Sequence, residues 1–437
     1  MNTPLPGLRR SRTIGTAAAI ATTVLALSAC TIGGTPSSTS SDGPVTLTFL
    51  SHYGDEPMKT GIANLIGQWN KENPTIQVKQ QTVSFDDLLT TLNVRQTGGQ
   101  GADVLSSYAL WGGQLAANGV LDKPPTDIAT DIKDNYSKAA SAAVTGGDGQ
   151  VFGYPTEFNT YVLYYNKKIL AEAGYNSPPT TWAQLKDIAD KTTKKDSSGN
   201  YKVEGLALIQ DGDNKTAHPF LSLLNSTGGQ FLDAQGNSAL DEKAKSVMQL
   251  ESDLAKSGAT TTSIAPTATF PSNQVAMAIQ ASWWIGSLKT QMKGGYANVG
   301  TAPVPGPTAG QKGSLAYAFF TGVNSGSKHK EDAWKFLTWF NSHKEASGAT
   351  GMGSFLASDG LIPPRKTDAA LLEPKLLAAD PNLKPIYAAA DYAMAESNAA
   401  NAYKAKTSLH THLSTLLINK ATVDQTESSL VTEINAK

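Results

Sequence analysis

From Val45 onward, short runs of β-branched and apolar residues alternate with stretches whose apolar positions recur at helical spacing. That alternation limits the fold more than any other feature, because strands separated by helices must join a sheet with helices on its faces. Val45 to Ser51 (VTLTFLS) reads as a buried strand. Pro57 to Asn73 carries Ile62, Leu65, Ile66 and Trp69 at i, i+3, i+4 and i+7, an amphipathic helix stopped by Pro74. Ile76 to Val83 reads as strand, and Ser84-Phe85-Asp86-Asp87 as a capping box opening a helix through Leu92. Gly101 to Leu105 is a short third strand. The pattern then restarts. Val151 to Pro155 and Thr160 to Asn166 read as two strands joined by Thr156 to Asn159, and Thr181 caps a helix to about Thr193. Gly205 to Gln210, Val275 to Ile279 and Val299 to Val304 are further strands, with helices over Asp241–Lys256 and Glu331–Phe340. No 20–50-residue repeat signals a solenoid. Two α/β lobes fit the pattern and the 437-residue length.

Composition removes several functions. A net charge of −1 provides no basic field for nucleic acid. Arginine is confined to Arg9, Arg10, Arg12, Arg95 and Arg365, so bidentate clamps on phosphate or carboxylate are scarce. A lone cysteine excludes a disulfide framework and a thiolate metal cluster, and no cofactor is expected. That cysteine sits where it carries meaning. Arg9, Arg10 and Arg12 precede the uncharged stretch Ile14 to Ala29, too short to span a bilayer comfortably but suited to a signal peptide over 1–29. The stretch ends Leu27-Ser28-Ala29-Cys30, which looks like a bacterial lipobox with Cys30 as the lipidated residue. The paired arginines leave Sec and twin-arginine export both open. Residues 30–44 follow as a tether, half of Thr31 to Pro44 being Ser or Thr, with a span of roughly 20 Å.

Four further stretches carry a resemblance. They are VTLTFLSHYGDE with WNKENP, then GADVLSSYALWGGQLAANGVLDK, then DGQVFGYPTEFNTYVLYYNKKILAEAGYNSPPTTWAQL, and finally NQVAMAIQASWWIGSL with VGTAPVPGP and GSKHKEDAWKFLTWF. In this order they resemble the family 1 extracellular solute-binding proteins, sugar-binding lipoproteins of ABC importers. The resemblance implies a two-lobed periplasmic-binding-protein-like α/β fold. Its lobes would be discontinuous and hinge-linked, residues 45–157 plus about 303–345 and residues 158–302 plus about 346–437, with ligand in the cleft between them. It further implies a monomer, lipid-anchored outside the cytoplasmic membrane, that hands a mono- or oligosaccharide to permease subunits and catalyses no reaction.

The resemblance also points to ligand residues. Tyr53, Asp55 and Glu56 lie at the first strand-to-helix turn, although Glu56 also suits a helix start. Ser107, Tyr108 and Trp111 follow the third strand; Trp111 alternatively packs its own helix against the sheet. Asn159 and Tyr161 flank the strand VLYYN, and Glu157 competes with Asn159 for the same role. Trp283 matches a stacking platform and its neighbour Trp284 is offered with it, though it also suits the core. Tyr317 stands where relatives more often carry glycine; Tyr403 is a further candidate, as is Arg365, which alternatively forms a surface salt bridge. Trp69, Trp334 and Trp339 read as core, and His410 and His412, two apart, as no metal pair. Polyols, nucleosides and glycerol phosphates remain alternatives to sugar, the last disfavoured by scarce arginine. A secreted glycosidase is the remaining enzyme alternative, since Asp55/Glu56 and Asp86/Asp87 are paired acids, but no GxSxG, Walker or HExxH motif accompanies them.

Overall fold

The computed structural model describes residues 43–436 apart from 55, 57, 209–215 and 263–264. The expected signal peptide over 1–29, Cys30, residues 31–42 of the expected tether and Asp55 therefore lie outside the described residues. No helix among the described residues is long and apolar enough to cross a membrane.

The first elements follow the sequence pattern closely. β1 (Val45–Ser51) leads to α1 (Met58–Glu72), which buries Ile62, Leu65, Ile66 and Trp69 and ends before Pro74. The Trp69 indole N–H donates to the Ile76 carbonyl at 2.9 Å, pinning α1 to β2 (Ile76–Thr82). α2 (Phe85–Thr97) starts at Ser84, whose hydroxyl accepts from the Asp87 N–H at 3.2 Å, and runs past Leu92. β3 (Val104–Tyr108) begins later than expected. The reason is Asp103, whose carboxylate takes the Thr48 N–H and hydroxyl at 2.9 Å each and fixes the approach to the strand.

The expected pair of strands around 151–166 is one strand, β4 (Tyr154–Asn166). Residues 156–159 contain no glycine or proline to turn the chain. Their polar side chains, which suggested a loop, are buried with partners instead: Glu157 faces His52, and Asn159 faces Ser282. The remaining principal elements are α3 (Trp182–Thr192), β5 (Tyr201–Ala207), α4 (Ala217–Ser226), α5 (Glu242–Ser257), β6 (Val275–Ala281) and α6 (Trp284–Gln291). They continue through β7 (Val299–Ala302), β8 (Leu315–Val323), α7 (Lys330–Ser342), α8 (Gly351–Ser358), α9 (Lys366–Ala379) and α10 (Leu383–Ala389). β9 (Met394–Ala395), α11 (Ala402–Leu417) and α12 (Val423–Asn435) complete them.

These strands form one sheet in the order β2-β1-β3-β8-β4-β6-β5, with β9 added to β8 and β7 to β4. β1 runs parallel to β2 and β3, and β8 lies antiparallel between β3 and β4. β4 changes partners midway. Tyr154 to Thr160 pair with β8, and Tyr161 to Asn166 pair with β6 and β7. The sheet thus has two halves that meet at β4 and β8. α1 and α7 pack over the first half and α3 and α4 over the second, with α5, α11 and α12 packed outside on those helices and on one another.

One buried acid in the second half titrates abnormally. Glu251 of α5 is 1% exposed, and neither carboxylate oxygen has a hydrogen-bond partner among the described residues. Burial pushes its carboxyl up to about 8. A folded-state value above the unfolded one means the native state keeps a proton that the unfolded chain releases. Stability therefore falls as pH climbs from about 4 towards 8. Glu251→Gln is expected to raise Tm by roughly a few degrees at pH 8 and to change it little at pH 4. Melts at both pH values check this; an equal shift at both means that Glu251 ionises normally.

Candidate functional site

The parallel strands β1 and β3 end side by side, and the antiparallel β8 and the middle of β4 run past those ends. Residues distant in sequence are thereby brought to one junction. Register places Phe319 opposite Tyr108 and Tyr317 opposite Asn159. Ser107 and Tyr108 are the last residues of β3 itself, and Trp111 closes the short 3₁₀ turn that follows.

Aromatic rings form a continuous belt there. The His52 imidazole stacks on Phe319 with centroids 4.2 Å apart. Phe319 stacks on Tyr108 at 5.4 Å, and Tyr108 meets the edge of Trp111 at 5.4 Å. Trp111 lies flat on Phe85 at 5.5 Å and edge-on to Tyr403 at 6.2 Å. On the other side Tyr317 stands 5.7 Å from Tyr108, stacks on His218 at 5.7 Å and lies 6.1 Å from Tyr161.

Polar groups are threaded through this belt. Glu157, 4% exposed, holds the His52 Nε2 at 3.0 Å, and the Tyr53 hydroxyl donates to Thr156 at 3.4 Å. Asn159 Oδ1 accepts from the Ser282 hydroxyl at 2.9 Å and from the Trp283 N–H at 3.2 Å. Lys406 and Glu396 form a buried ion pair at 2.5 Å. Lys406 also donates to the Tyr108 hydroxyl at 2.8 Å, and that hydroxyl donates to Glu396. His218 bonds the Tyr161 hydroxyl through Nδ1 and faces Glu396 through Nε2 at 3.4 Å. Burial alone pushes the Glu396 carboxyl up, but the Lys406 ammonium and His218 outweigh it and hold the carboxyl at about 2. Burial raises the phenols of Tyr53, Tyr108, Tyr161 and Tyr317 well above their ordinary value, so each is a neutral hydroxyl. Ser107 Oγ, Trp111 Nε1 and Asn159 Nδ2 are buried without a hydrogen-bond partner among the described residues.

Tyr53, Ser107, Tyr108, Trp111, Glu157, Asn159, Tyr161, Trp283 and Tyr317 therefore gather at this junction, as their sequence positions suggested. Others are placed elsewhere. Trp284 is a correction: only 1% exposed, it packs between Tyr164 at 5.1 Å and Phe270 at 5.0 Å, inside the core. It is the first residue of α6, directly after the half-buried Trp283. Glu56 is exposed, and its carboxylate accepts the Thr60 N–H at 3.3 Å, the helix-start alternative. Arg365 clamps Asp131 at 2.6 and 3.2 Å and lies over the Tyr136 ring. Trp339 is half-buried at the edge of the core, stacked on His343 at 4.5 Å.

Sequence reasoning passed over His52, Phe85, His218, Phe319, Glu396 and Lys406. Glu396 and Lys406 carried a readable signal, since both are charged residues in an otherwise Ala- and Asn-rich segment. The others had none, because their roles depend on strand pairing.

This arrangement can be set beside known proteins. A family model described as bacterial extracellular solute-binding protein matches residues 55–347, well over half of the chain. A protein of Brucella abortus named as a binding protein is 26% identical over 311 residues, covering 69% of this chain and 71% of its own. The GacH receptor of Streptomyces glaucescens, whose structures include complexes with acarbose, superposes with a TM-score of 0.75 at 24% identity, covering 89% and 97% of the two chains. An ABC substrate-binding protein of Listeria monocytogenes in complex with cycloalternan gives 0.76 at 21% identity, over 90% and 98%. Both superpositions extend the sheet seen here to the same two-lobed α/β fold. The matched family is one of binding proteins, not enzymes. With its two sheet halves meeting at an aromatic, hydrogen-bonding junction, this chain belongs to the bacterial extracellular solute-binding protein family.

Proposed function

We propose that this protein binds a carbohydrate at the junction of its two sheet halves and delivers it to the permease of an ABC importer. The observation that carries the reading is the aromatic belt with buried, unpartnered Ser107 Oγ, Trp111 Nε1 and Asn159 Nδ2 set into it. Sugars offer C–H faces to rings and hydroxyls to such polar atoms, so both halves of the chemistry meet in one place. Acarbose and cycloalternan, bound by two proteins of this fold, are both ligands of that kind.

Tyr53, Ser107, Tyr108, Trp111, Glu157, Asn159, Tyr161, Trp283 and Tyr317 are the proposed contacts, with Asp55 at the first strand-to-helix turn. Trp283 is the stacking platform, held by its N–H on Asn159. The proposed first lobe comprises residues 45–157 plus about 303–345, and the rest forms the second. α8 packs against α1 and α7, which supports extending the first lobe to about Ser358. Cys30 is the proposed lipid site after cleavage of the 1–29 signal peptide, with residues 31–44 as tether and the folded part monomeric outside the membrane.

A thermal-shift panel on the full chain in detergent checks the reading, with maltotriose, mannobiose and arabinobiose set against polyols, nucleosides, amino acids and glycerol phosphate. At 100 times its dissociation constant a ligand stabilises by about 2.7 kcal/mol, a shift of several degrees. A shift with one sugar group and no product formed is the expected result. A shift only with another class keeps the receptor and discards carbohydrate, and turnover of any sugar replaces the receptor by an enzyme.

A further inference from the structure

The Glu396–Lys406 pair is hard to explain as a stabilising device. Their side chains are 6% and 2% exposed, and desolvating two such charges costs about as much as their attraction returns. The chain nevertheless builds a holder for them. Asn398 donates to the carbonyls of Ala142 and Thr145 at 2.7 and 2.8 Å, and Asn401 donates to that of Gly236 at 2.8 Å. The segment bearing Glu396 is thus tied to both halves of the molecule. The pair lines a small cavity of about 40 Å³ together with Leu110, Leu221, Phe231 and Leu315.

The remaining charges of the junction are negative or neutralised. Glu157 is spoken for by His52 at 3.0 Å. Asp359, half-buried, has an Oδ2 with no partner among the described residues, and burial together with the nearby Glu157 charge pushes its carboxyl up to about 6. Neither described arginine is there to meet an anion: Arg95 bonds Gln81 and Arg365 bonds Asp131.

We infer that Glu396 and Lys406 are the charge-selecting residues of this site: an internally neutralised pair that offers hydroxyls one strong acceptor and one strong donor. It admits neutral polyhydroxylated ligands and rejects carboxylated or phosphorylated ones. The inference rests on the carbohydrate reading above and deepens it. A neutral sugar can exchange hydrogen bonds with both charges without upsetting their balance. A uronate or sugar phosphate must shed its hydration beside Glu157, Glu396 and Asp359, with the Lys406 charge already balanced by Glu396.

Calorimetry on the full chain tests this with maltotriose, mannobiose and arabinobiose, and with trigalacturonate and glucose 6-phosphate. The wild type is expected to bind at least one neutral probe and neither anionic one. Glu396→Gln, which leaves Lys406 as an uncompensated cation, is expected to lose about tenfold or more for the neutral probe and to gain measurable binding of an anionic one. The double variant Glu396→Gln/Lys406→Met leaves no lone buried charge, so it reads the loss of neutral-sugar affinity even where the single variants fold poorly. Wild-type binding of either anionic probe as tight as that of a neutral one overturns the inference. So does a folded double variant with unchanged sugar affinity. If no sugar binds the wild type at all, the carbohydrate reading fails, and charge selection is read without ligand from tryptophan quenching. Iodide quenching is then expected to rise in Glu396→Gln and caesium quenching in Lys406→Met. Equal quenching in all three proteins overturns the inference independently.

Discussion

Trp284→Ala is expected to lower folding stability by about 3–5 kcal/mol, the range for emptying a large aromatic site in a core. Trp283→Ala, one residue earlier, is expected to stay within about 1 kcal/mol of wild type and to remove most ligand affinity. The asymmetry follows from where each ring goes. β6 ends at Ala281, and the chain turns at once into α6, so consecutive side chains leave in different directions. Trp284 fills the space between Tyr164 and Phe270, where no rearrangement of neighbours restores its contacts. Trp283 is only half-buried, and its backbone N–H is held by Asn159 of the junction. Denaturant melts, and calorimetry with any sugar that the thermal-shift panel identifies, separate the two effects. A large stability loss in Trp283→Ala with affinity intact would assign that ring to the core.

The second large effect concerns the buried ion pair. Lys406→Met alone is expected to cost about 3–5 kcal/mol, because it strands the buried Glu396 carboxylate without its counter-charge. The double variant Glu396→Gln/Lys406→Met is expected to recover most of that loss, since no charge then remains to be desolvated. Denaturant titrations of the three proteins, read as a double-mutant cycle, give the comparison. A double variant as unstable as Lys406→Met would mean that the pair itself, and not the stranded charge, holds the fold. The pH dependence has a definite sign. Glu396 is depressed to about 2 in the folded state, so its contribution is fully present above the ordinary carboxylate value. It is lost as pH falls from there through about 2.

The N-terminal elements were legible because their evidence is local. The i, i+3, i+4, i+7 spacing of Ile62, Leu65, Ile66 and Trp69 became the buried face of α1. Ser84 and Thr181 cap the helices they announced, since a cap needs only a hydroxyl and an N–H three residues on. β4 was misread for a complementary reason. Glu157 and Asn159 look like loop residues in isolation, and they sit in a strand with His52 meeting the Glu157 carboxylate and Ser282 the Asn159 Oδ1, each about a hundred residues away. Local propensity contains no term for a partner so distant in sequence.

The candidate site divides along the same line. The chain's own pattern determined the strand–helix alternation and the end of β1, though it put the end of β3 at Leu105 rather than Tyr108. It also determined that arginine is too scarce to build an anion clamp. Periodicity, capping and composition are properties of neighbours along the chain, and they survive without coordinates. Folding in three dimensions set Phe319 opposite Tyr108 and buried Trp284 while leaving Trp283 half-exposed. It alone brought Lys406 and Glu396 under the hydroxyl of Tyr108, nearly three hundred residues earlier. Those placements are set by strand register and by the return of the chain from one half of the sheet to the other, and both are decided by packing between segments that no sequence window contains together.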